Sequence, residues 1–528
     1  MAGSPASSGT TDTLPSPRSS KPARIAFFFL LISALYFTDT LLRTTLKTFW
    51  YDELVTVYLC RLPTFHATWT AVLNGADLNP PLFYLLTRWA QHFSGEGLIA
   101  TRLPAILGFW IFGACLYLFV ARRLGPICGC IAALAPWFTL ADYYAYEARP
   151  HGAMLAWCGL MLVSWQCSRD RTPSTKWRSG LYSFAFFLSF LAGLLTHVYA
   201  VFLGVPFALV ELDSLLRRKP IRIPICIALV LAPCLVAPLY LRLAHIYTSG
   251  ITGGVHQHPY EIVQQFLLAI FGPTLVLLIL LLALLAWRRS QTRVADQAAM
   301  SLRREELVVS IGFLLLPMLG VVAAKVMHGP YFNRYFLAVT AGFAVLLAQA
   351  VAPRSGRRPF LAPALAAIML FLLGADTLIA GYCHWRHADL DLSGPSNLII
   401  FGPNPREPFL RNASLLHDTS QLDILVDGNP DYLFFQYYAS PALRRRLIYA
   451  APSPAEEFLV GYRILSRWTG AGLQTTTFAD YFAGHRDFLL YEANRDDCPA
   501  CMQKVLDAGY SLRSVKRDID GKLEHFSK

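Results

Sequence analysis

The chain has 528 residues, of which 55% are hydrophobic and 15% are charged, whereas soluble proteins average about 25% charged residues. The mean hydropathy is +0.42, and it arises from repeated apolar runs of about 20 residues, each long enough to cross a bilayer. This excludes an ordinary soluble enzyme and predicts a polytopic membrane protein. The net charge of +12 would suit nucleic-acid binding, but it is better explained by membrane topology, so no nucleic-acid partner is expected.

Residues 1–22 are rich in Ser, Thr and Pro and are predicted to form a disordered cytoplasmic tail. An α-helical membrane domain is predicted over 23–381, with about eleven transmembrane helices. The predicted spans are 23–43, 101–121, 124–141, 150–167, 180–196, 198–216, 223–243, 265–287, 307–327, 334–352 and 360–381.

Basic residues cluster between alternate spans and all fall on the side of the N-terminal tail. The positive-inside rule places that side in the cytoplasm. An odd number of crossings then makes 382–528 extracytoplasmic, together with a first loop over 44–100. The basic clusters occupy 122–123, 169–178, 217–222, 288–304 and 354–358.

The C-terminal segment, 382–528, is predicted to be a small α/β domain. Short β-like runs at 397–401, 422–426 and 487–491 alternate with helix-compatible stretches. Cys498 and Cys501 are predicted to form a local disulfide rather than a redox site, because no thioredoxin-like pattern surrounds them and the exterior is oxidising.

The first loop carries the acidic residues that best suit catalysis. Asp52 and Glu53 are adjacent, so their side chains point in different directions: one can face a substrate while a structural partner holds the other. The alternative is that the pair only caps a surface helix; we favour the functional interpretation. Asp77, Asn79 and Tyr84 follow in a second motif of this loop.

A short outward loop at 142–151 is dense in ionisable residues, including Glu147, Arg149 and His151. Arginine can bind phosphate through two parallel hydrogen bonds, and a histidine can add a donor. An equally weighted alternative is that Arg149 forms an ion pair with Glu147 and only stabilises the loop.

Three further outward helix ends supply polar candidates: His197 with Tyr199, Arg334 with Tyr335, and His258. They permit a phosphate or metal site. Glu147 and His258 are candidate ligands for a divalent metal ion, although no HExxH or paired CxxC spacing establishes a zinc site.

The ordered set of motifs resembles the GT-C superfamily over roughly residues 20 to 350. It consists of Asp-Glu after an aromatic residue, Asp-x-Asn-Pro-Pro-Leu-Phe-Tyr at 77–84, Glu-Ala-Arg-Pro at 147–150, Thr-His-x-Tyr-Ala at 196–200, and Arg-Tyr-Phe at 334–336. The most similar branch contains bacterial relatives of protein O-mannosyltransferases, the lipid A aminoarabinose transferase and rhizobial core galacturonosyltransferases.

The resemblance implies a multi-pass glycosyltransferase of the bacterial inner membrane. Such an enzyme moves a hexose or pentose from a polyprenyl-phosphate carrier, held among membrane lipids, to a glycan, lipid or protein acceptor outside the cytoplasm. Asn79 departs from the common His, so any role of that imidazole is absent. The implied catalytic residues are Asp52, Glu53 and Asp77, and the substrate-binding candidates are Asn79, Tyr84, Glu147, Arg149, His151, His197, Tyr199, Arg334 and Tyr335.

The expected mechanism is a single displacement that inverts the anomeric centre. Asp52 would act as general base towards an acceptor hydroxyl, and Arg149 and Arg334 would stabilise the departing phosphate, with a histidine or a divalent ion.

Three other functions fit parts of the sequence. A lipid-linked sugar transporter or flippase would need ionisable groups along a path at mid-membrane, whereas these lie at outward ends. An enzyme like the O-antigen ligases would place its large outer loop late in the chain. A non-catalytic scaffold would use 382–528 to bind a partner.

Overall fold

A helical bundle precedes a small sheet domain in the computed structural model. The structure describes residues 22–77, 79–169, 176–248, 301–326, 333–352, 361–386, 421–426, 428–451, 472–493, 499–518 and 521–528. The helices up to residue 386 are α1 (Pro22–Leu46), α2 (Tyr51–Arg61), α3 (Phe65–Leu73), α4 (Leu82–Ser94), α5 (Leu98–Leu124), α6 (Pro126–Leu134), α7 (Pro150–Arg169), α8 (Lys176–Thr196), α9 (Val205–Leu216), α10 (Ile223–Thr248), α11 (Arg304–Val326), α12 (Val339–Val351) and α13 (Leu361–Trp385).

Seven apolar segments in the described ranges are long enough to cross a membrane, and the two shorter apolar ones are Pro126–Phe138 and Val339–Val351. Every predicted span inside those ranges overlaps a helix; the span at 265–287 lies outside them. The count of eleven stays a prediction. The seven segments are Ala26–Leu46, Leu98–Leu124, Trp177–Thr196, Val198–Leu216, Ile223–His245, Arg304–Val326 and Leu361–Trp385.

Two predicted spans differ at one end from the helices that the structure shows. The span at 124–141 runs past its apolar segment, because the chain leaves helical structure at Thr139. The span at 334–352 starts too early, because residues 333–336 form a separate 3₁₀ turn before α12. In both places the residues beyond the helix are themselves largely apolar, among them Leu140, Ala141, Phe336 and Leu337, so hydropathy does not separate them from the helix.

Helices α5 and α7 cross in close contact at two glycines. A Cβ atom on Gly108 would lie 2.5 Å from the carbonyl oxygen of Gly152, and one on Gly152 would lie 2.7 Å from the carbonyl oxygen of Ala105. Small residues let helix backbones approach in this way inside a membrane. The crossing fixes the first turn of α7, which follows Arg149 directly.

The first loop folds into α2, α3 and α4. Trp89 and Phe93 on α4 remain exposed at 65% and 69%, in keeping with an amphipathic helix lying at the membrane surface. The buried flank of α2 contributes Leu54, Val55 and Tyr58 to a hydrophobic core that it shares with the C-terminal domain.

The C-terminal domain is a six-stranded sheet with helices, as predicted. The strand order is β3-β2-β1-β4-β6-β5, with the first four strands parallel and β6 antiparallel to both neighbours. The predicted strand at 397–401, Cys498 and the side chain of Cys501 lie outside the described residues. The elements are β1 (Ile424–Val426), α14 (Asn429–Tyr438), α15 (Pro441–Arg444), β2 (Leu447–Ala451), β3 (Thr475–Thr477), α16 (Phe478–Gly484), β4 (Asp487–Ala493), α17 (Pro499–Asp507), β5 (Ser511–Asp518) and β6 (Gly521–Ser527).

The C-terminal domain packs directly on the segment that carries the acidic pair. The backbone N–H of Phe49 donates to the Tyr438 hydroxyl at 2.7 Å, and the Tyr58 hydroxyl donates to the carbonyl oxygen of Leu433 at 3.4 Å. The ring of Phe49 also meets that of Tyr437 edge to face. Helix α14 therefore supports α2 and the preceding Phe49 by direct contact.

Replacing Gly152 with alanine tests the helix crossing. The added methyl group cannot fit without separating α5 from α7, so we expect a loss of about 1–3 kcal/mol in unfolding free energy. Thermal unfolding in detergent would measure it. Gly180→Ala is the control, because nothing lies within 4 Å of a Cβ there; equal melting temperatures for the two variants would contradict the close crossing.

Candidate active site

A fully buried ion pair stands at the centre of the candidate site. The Arg102 guanidinium donates to both carboxylate oxygens of Glu53, from Nε at 2.7 Å and from Nη2 at 2.9 Å. Neither side chain is exposed. Burial alone would disfavour the Glu53 carboxylate, but Arg102 and Lys47 hold its pKa below the usual range, so both partners are charged.

This ion pair joins three segments of the chain. Arg102 donates to the carbonyl oxygens of Thr44, Lys47 and Thr48, where α1 ends. Glu53 accepts the backbone N–H of Ala148 at 2.7 Å. Helix ends leave carbonyl groups without intrahelical partners, and Arg102 satisfies them while it fixes the start of α2.

Asp52 lies beside this anchor with a different environment. Its carboxylate is 3.5 Å from a guanidinium nitrogen of Arg334, and its side chain keeps 7% exposure against 0% for Glu53 and 2% for Asp77. Asp52 is therefore the most accessible carboxylate of the first loop's two motifs.

Asp77 is held by three side chains. Arg149 donates to it at 2.6 Å, the Tyr84 hydroxyl at 2.8 Å and the Asn79 amide at 3.4 Å. Arg149 also donates to the carbonyl oxygen of Asp52 at 3.3 Å. One guanidinium thus links both acidic motifs of the first loop.

Glu147 is buried beside a cation. One of its oxygens accepts the Trp50 indole N–H at 2.9 Å, and the other has no hydrogen-bond partner among the described residues. Burial is the main cause that raises the Glu147 pKa to about 7, against the pull of Lys47. The Lys47 ammonium lies 4.1 Å from the Tyr143 ring centroid and 3.5 Å from Glu53.

Rings and imidazoles form the neighbouring wall of the site. The rings of His151 and His197 are 5.0 Å apart, and Tyr335 stacks on Tyr199 at 4.3 Å. His197 Nδ1 accepts the backbone N–H of Tyr199, so in the neutral ring the proton is on Nε2. Burial, then Arg149 and Arg334, lower the His197 pKa to about 3.

His197 Nε2 is buried with no hydrogen-bond partner in the described part of the chain. Buried donors of this kind are rare without a ligand or water. The neutral His197 ring therefore presents a fixed N–H donor near two guanidinium groups.

The structure brings the predicted residues with described side chains into one connected site. Sequence reasoning missed Arg102, Lys47 and Trp50, which hold its acidic groups. Arg102 could have been predicted from its position inside the apolar run of α5. A charged side chain in a membrane segment is energetically costly and usually has a function.

The candidate metal ligands, Glu147 and His258, stay a prediction, because only Glu147 lies within the described ranges. No three His, Cys, Asp or Glu side chains there are placed to hold a metal ion. Glu147 lies instead beside Trp50 and Lys47, and His258 is outside the described residues.

The fold has a solved counterpart, although no protein-family profile and no curated protein matches the chain. The chain is similar to ArnT from Cupriavidus metallidurans in its apo state, at 11% identity and a TM-score of 0.57, over 96% of this chain and 98% of that one. The same protein bound to undecaprenyl phosphate matches with a TM-score of 0.55 over the same shares. The chain therefore has the fold of ArnT.

Glu53→Gln tests the central ion pair. It leaves the Arg102 charge buried without its partner, which costs about 3–5 kcal/mol in comparable pairs. Thermal unfolding should show a large loss. The control is Glu96→Gln, which removes the exposed Arg61–Glu96 pair and should cost no more than about 1 kcal/mol; similar losses in both would refute a structural role for Glu53.

Glu147→Gln tests the buried acid through pH. Because the folded pKa is raised from 4.5 to about 7, wild-type stability falls as pH rises through that window, while the amide does not ionise. The variant should match wild type below about pH 4 and exceed it near about pH 8, by on the order of 3 kcal/mol. A difference in unfolding midpoint that is independent of pH would contradict the raised pKa.

Proposed function

We propose that the protein is a membrane glycosyltransferase that moves a sugar from a polyprenyl-phosphate carrier to an envelope glycan, lipid or protein acceptor on the extracytoplasmic side. One observation carries the proposal: Asp52 and Asp77 meet Arg149 and Arg334 at a single buried site. The fold of ArnT, which has been solved with undecaprenyl phosphate, supports the carrier class.

Asp52 is the proposed general base. It is the most accessible of the three candidate carboxylates, whereas Glu53 and Asp77 use their oxygens in short hydrogen bonds to Arg102, Ala148, Arg149 and Tyr84. We assign Glu53 to positioning Asp52, and Asp77 to positioning Arg149. A positioned base contributes about 10²–10⁴-fold to the rate.

The proposed reaction leaves the net charge of the site unchanged. An acceptor hydroxyl attacks the anomeric carbon and gives its proton to Asp52, while the bond from that carbon to the phosphate oxygen breaks and its electron pair stays on phosphate. Asp52 thus loses one negative charge as the phosphate gains one. Arg334, 3.5 Å from Asp52, is then available to the leaving group, with His197 as a neutral donor.

The displacement inverts the anomeric centre, because one attack from the face opposite the phosphate replaces one bond by another. The transferred unit is a hexosyl or pentosyl group, as in the GT-C enzymes that the motifs resemble. The enzyme would be a multi-pass protein of a bacterial inner membrane with its N-terminus in the cytoplasm.

Asp52→Asn tests the base. We expect sugar transfer to fall by about 10²–10⁴-fold in a protein that still folds, because the amide is nearly isosteric and cannot take the proton. The melting temperature should fall less than in Glu53→Gln, because the Arg334 side chain is 22% exposed. The measurement is mass spectrometry of envelope glycans from a strain that lacks the gene, complemented with either form; the missing residue also identifies the sugar and its acceptor.

Glu96→Gln serves as the folded control and should restore the glycan fully. Near wild-type glycan levels with Asp52→Asn would exclude Asp52 as base. A transporter would be favoured instead if the wild-type protein restored movement of a lipid-linked sugar across the membrane but transferred no sugar to an acceptor.

A further inference from the structure

A polar cavity of about 320 Å³ lies at the end of the bundle remote from Asp52. Helix α5 is one of the seven segments long enough to cross a membrane; it carries Arg102 of the candidate active site near its start and Arg123 of the cavity lining near its end. Its 27 residues span roughly 40 Å, more than the thickness of the hydrocarbon core. The cavity therefore opens at the opposite membrane face, which the positive-inside rule predicts to be cytoplasmic.

We propose that this cavity binds a phosphate-bearing anion, presented by the head group of an acidic phospholipid. Five cationic side chains from four segments line it: Arg123, Arg169, Lys219, Arg222 and Arg303. A cavity of this size is within the usual range for small-molecule sites.

Carboxylates balance only part of that charge. Glu306 accepts Arg123 Nε at 2.8 Å and the Gln166 amide at 2.9 Å, and Glu211 accepts Arg169 at 2.7 Å. Glu305 and Glu306 line the cavity, and Glu211 pairs with Arg169 without lining it, so among the described residues three carboxylates accompany five cations. The net charge of the cavity is therefore positive. Lys219 and Arg303 are exposed residues of the flanking loops, where an anion can reach them.

Two buried polar atoms in the cavity wall lack partners. The Trp165 indole N–H and the side-chain oxygen of Gln166 have no hydrogen-bond partner within the described ranges, although both residues line the cavity. An unsatisfied buried donor is costly. A phosphate oxygen would accept from Trp165, and a head-group hydroxyl would donate to Gln166.

A lipid source fits the position of the cavity. It lies among helix ends at the level of the head groups, and basic pockets between transmembrane helices at this face suit acidic head groups. Basic residues in cytoplasmic loops are sufficient to orient a membrane protein. Topology alone therefore does not explain why these cations line a cavity together with an unsatisfied tryptophan N–H.

Lipid binding to the purified full-length protein in neutral detergent tests the proposal. Native mass spectrometry and thermal unfolding would compare phosphatidylglycerol, phosphatidylcholine, inorganic phosphate and glycerol phosphate. We expect phosphatidylglycerol to bind and raise the melting temperature. The double variant Lys219→Gln with Arg303→Gln should weaken its binding by about 25-fold, at about fivefold per cation.

Two single variants make the result specific. Trp165→Phe keeps an aromatic side chain but removes the indole N–H, and should weaken phosphatidylglycerol binding about tenfold. Arg218→Gln removes a charge from the same loop without lining the cavity and should change binding by less than about twofold.

The outcomes separate the sources of the anion. Selective binding of phosphatidylglycerol supports the lipid head group. Binding of the soluble phosphates with the same dependence on Trp165 and Lys219 supports the phosphate site with a soluble ligand. Equal binding of phosphatidylcholine, or equal losses in Arg218→Gln and the double variant, would overturn the proposal.

Discussion

The Glu53–Arg102 ion pair is the constraint on which the candidate site depends. Removing two charges from water is costly unless each is fully satisfied. Here Arg102 is satisfied by the end of α1 and by Glu53 at the start of α2, and Glu53 in turn accepts the backbone N–H of Ala148. Asp52 directly precedes Glu53 in the sequence, and Arg149 directly follows Ala148. Their backbones are thus positioned by a structural ion pair rather than by substrate, which is the preorganisation that electrostatic catalysis requires.

The site is nearly neutral before a donor enters, because each carboxylate has a cation beside it: Asp52 has Arg334, Asp77 has Arg149, and Glu147 has Lys47. A strongly cationic site would bind donor and product phosphate alike and gain little in rate. In the proposed mechanism the Asp52–Arg334 pair loosens only as the proton moves, so the positive charge reaches the leaving phosphate when its own charge grows. The interaction is then stronger in the transition state than in the ground state.

Sequence patterns predicted the secondary-structure elements better than the long-range contacts between them. Apolar runs located the helices, and the adjacency of Asp52 and Glu53 predicted that one acid would be structurally held, because adjacent side chains diverge. Which residue holds it was not predictable: Arg102 is 49 positions away in sequence, inside an apolar helix. The strand order β3-β2-β1-β4-β6-β5 and the packing of α14 on α2 are likewise set by long-range contacts that local periodicity does not encode.

That packing changes how the C-terminal domain bears on function. Phe49, Leu54 and Tyr58 share one hydrophobic core with strands and helix α14 of the domain, so the domain covers the back of the helix that carries Asp52. Removing it would expose that apolar surface to water and release α2, at about 25 cal/mol per Å² of apolar surface. Loss of activity on truncation would therefore not identify a separate binding domain, since a support for α2 gives the same result; only substitutions on a face of the domain away from α2 can separate the two roles.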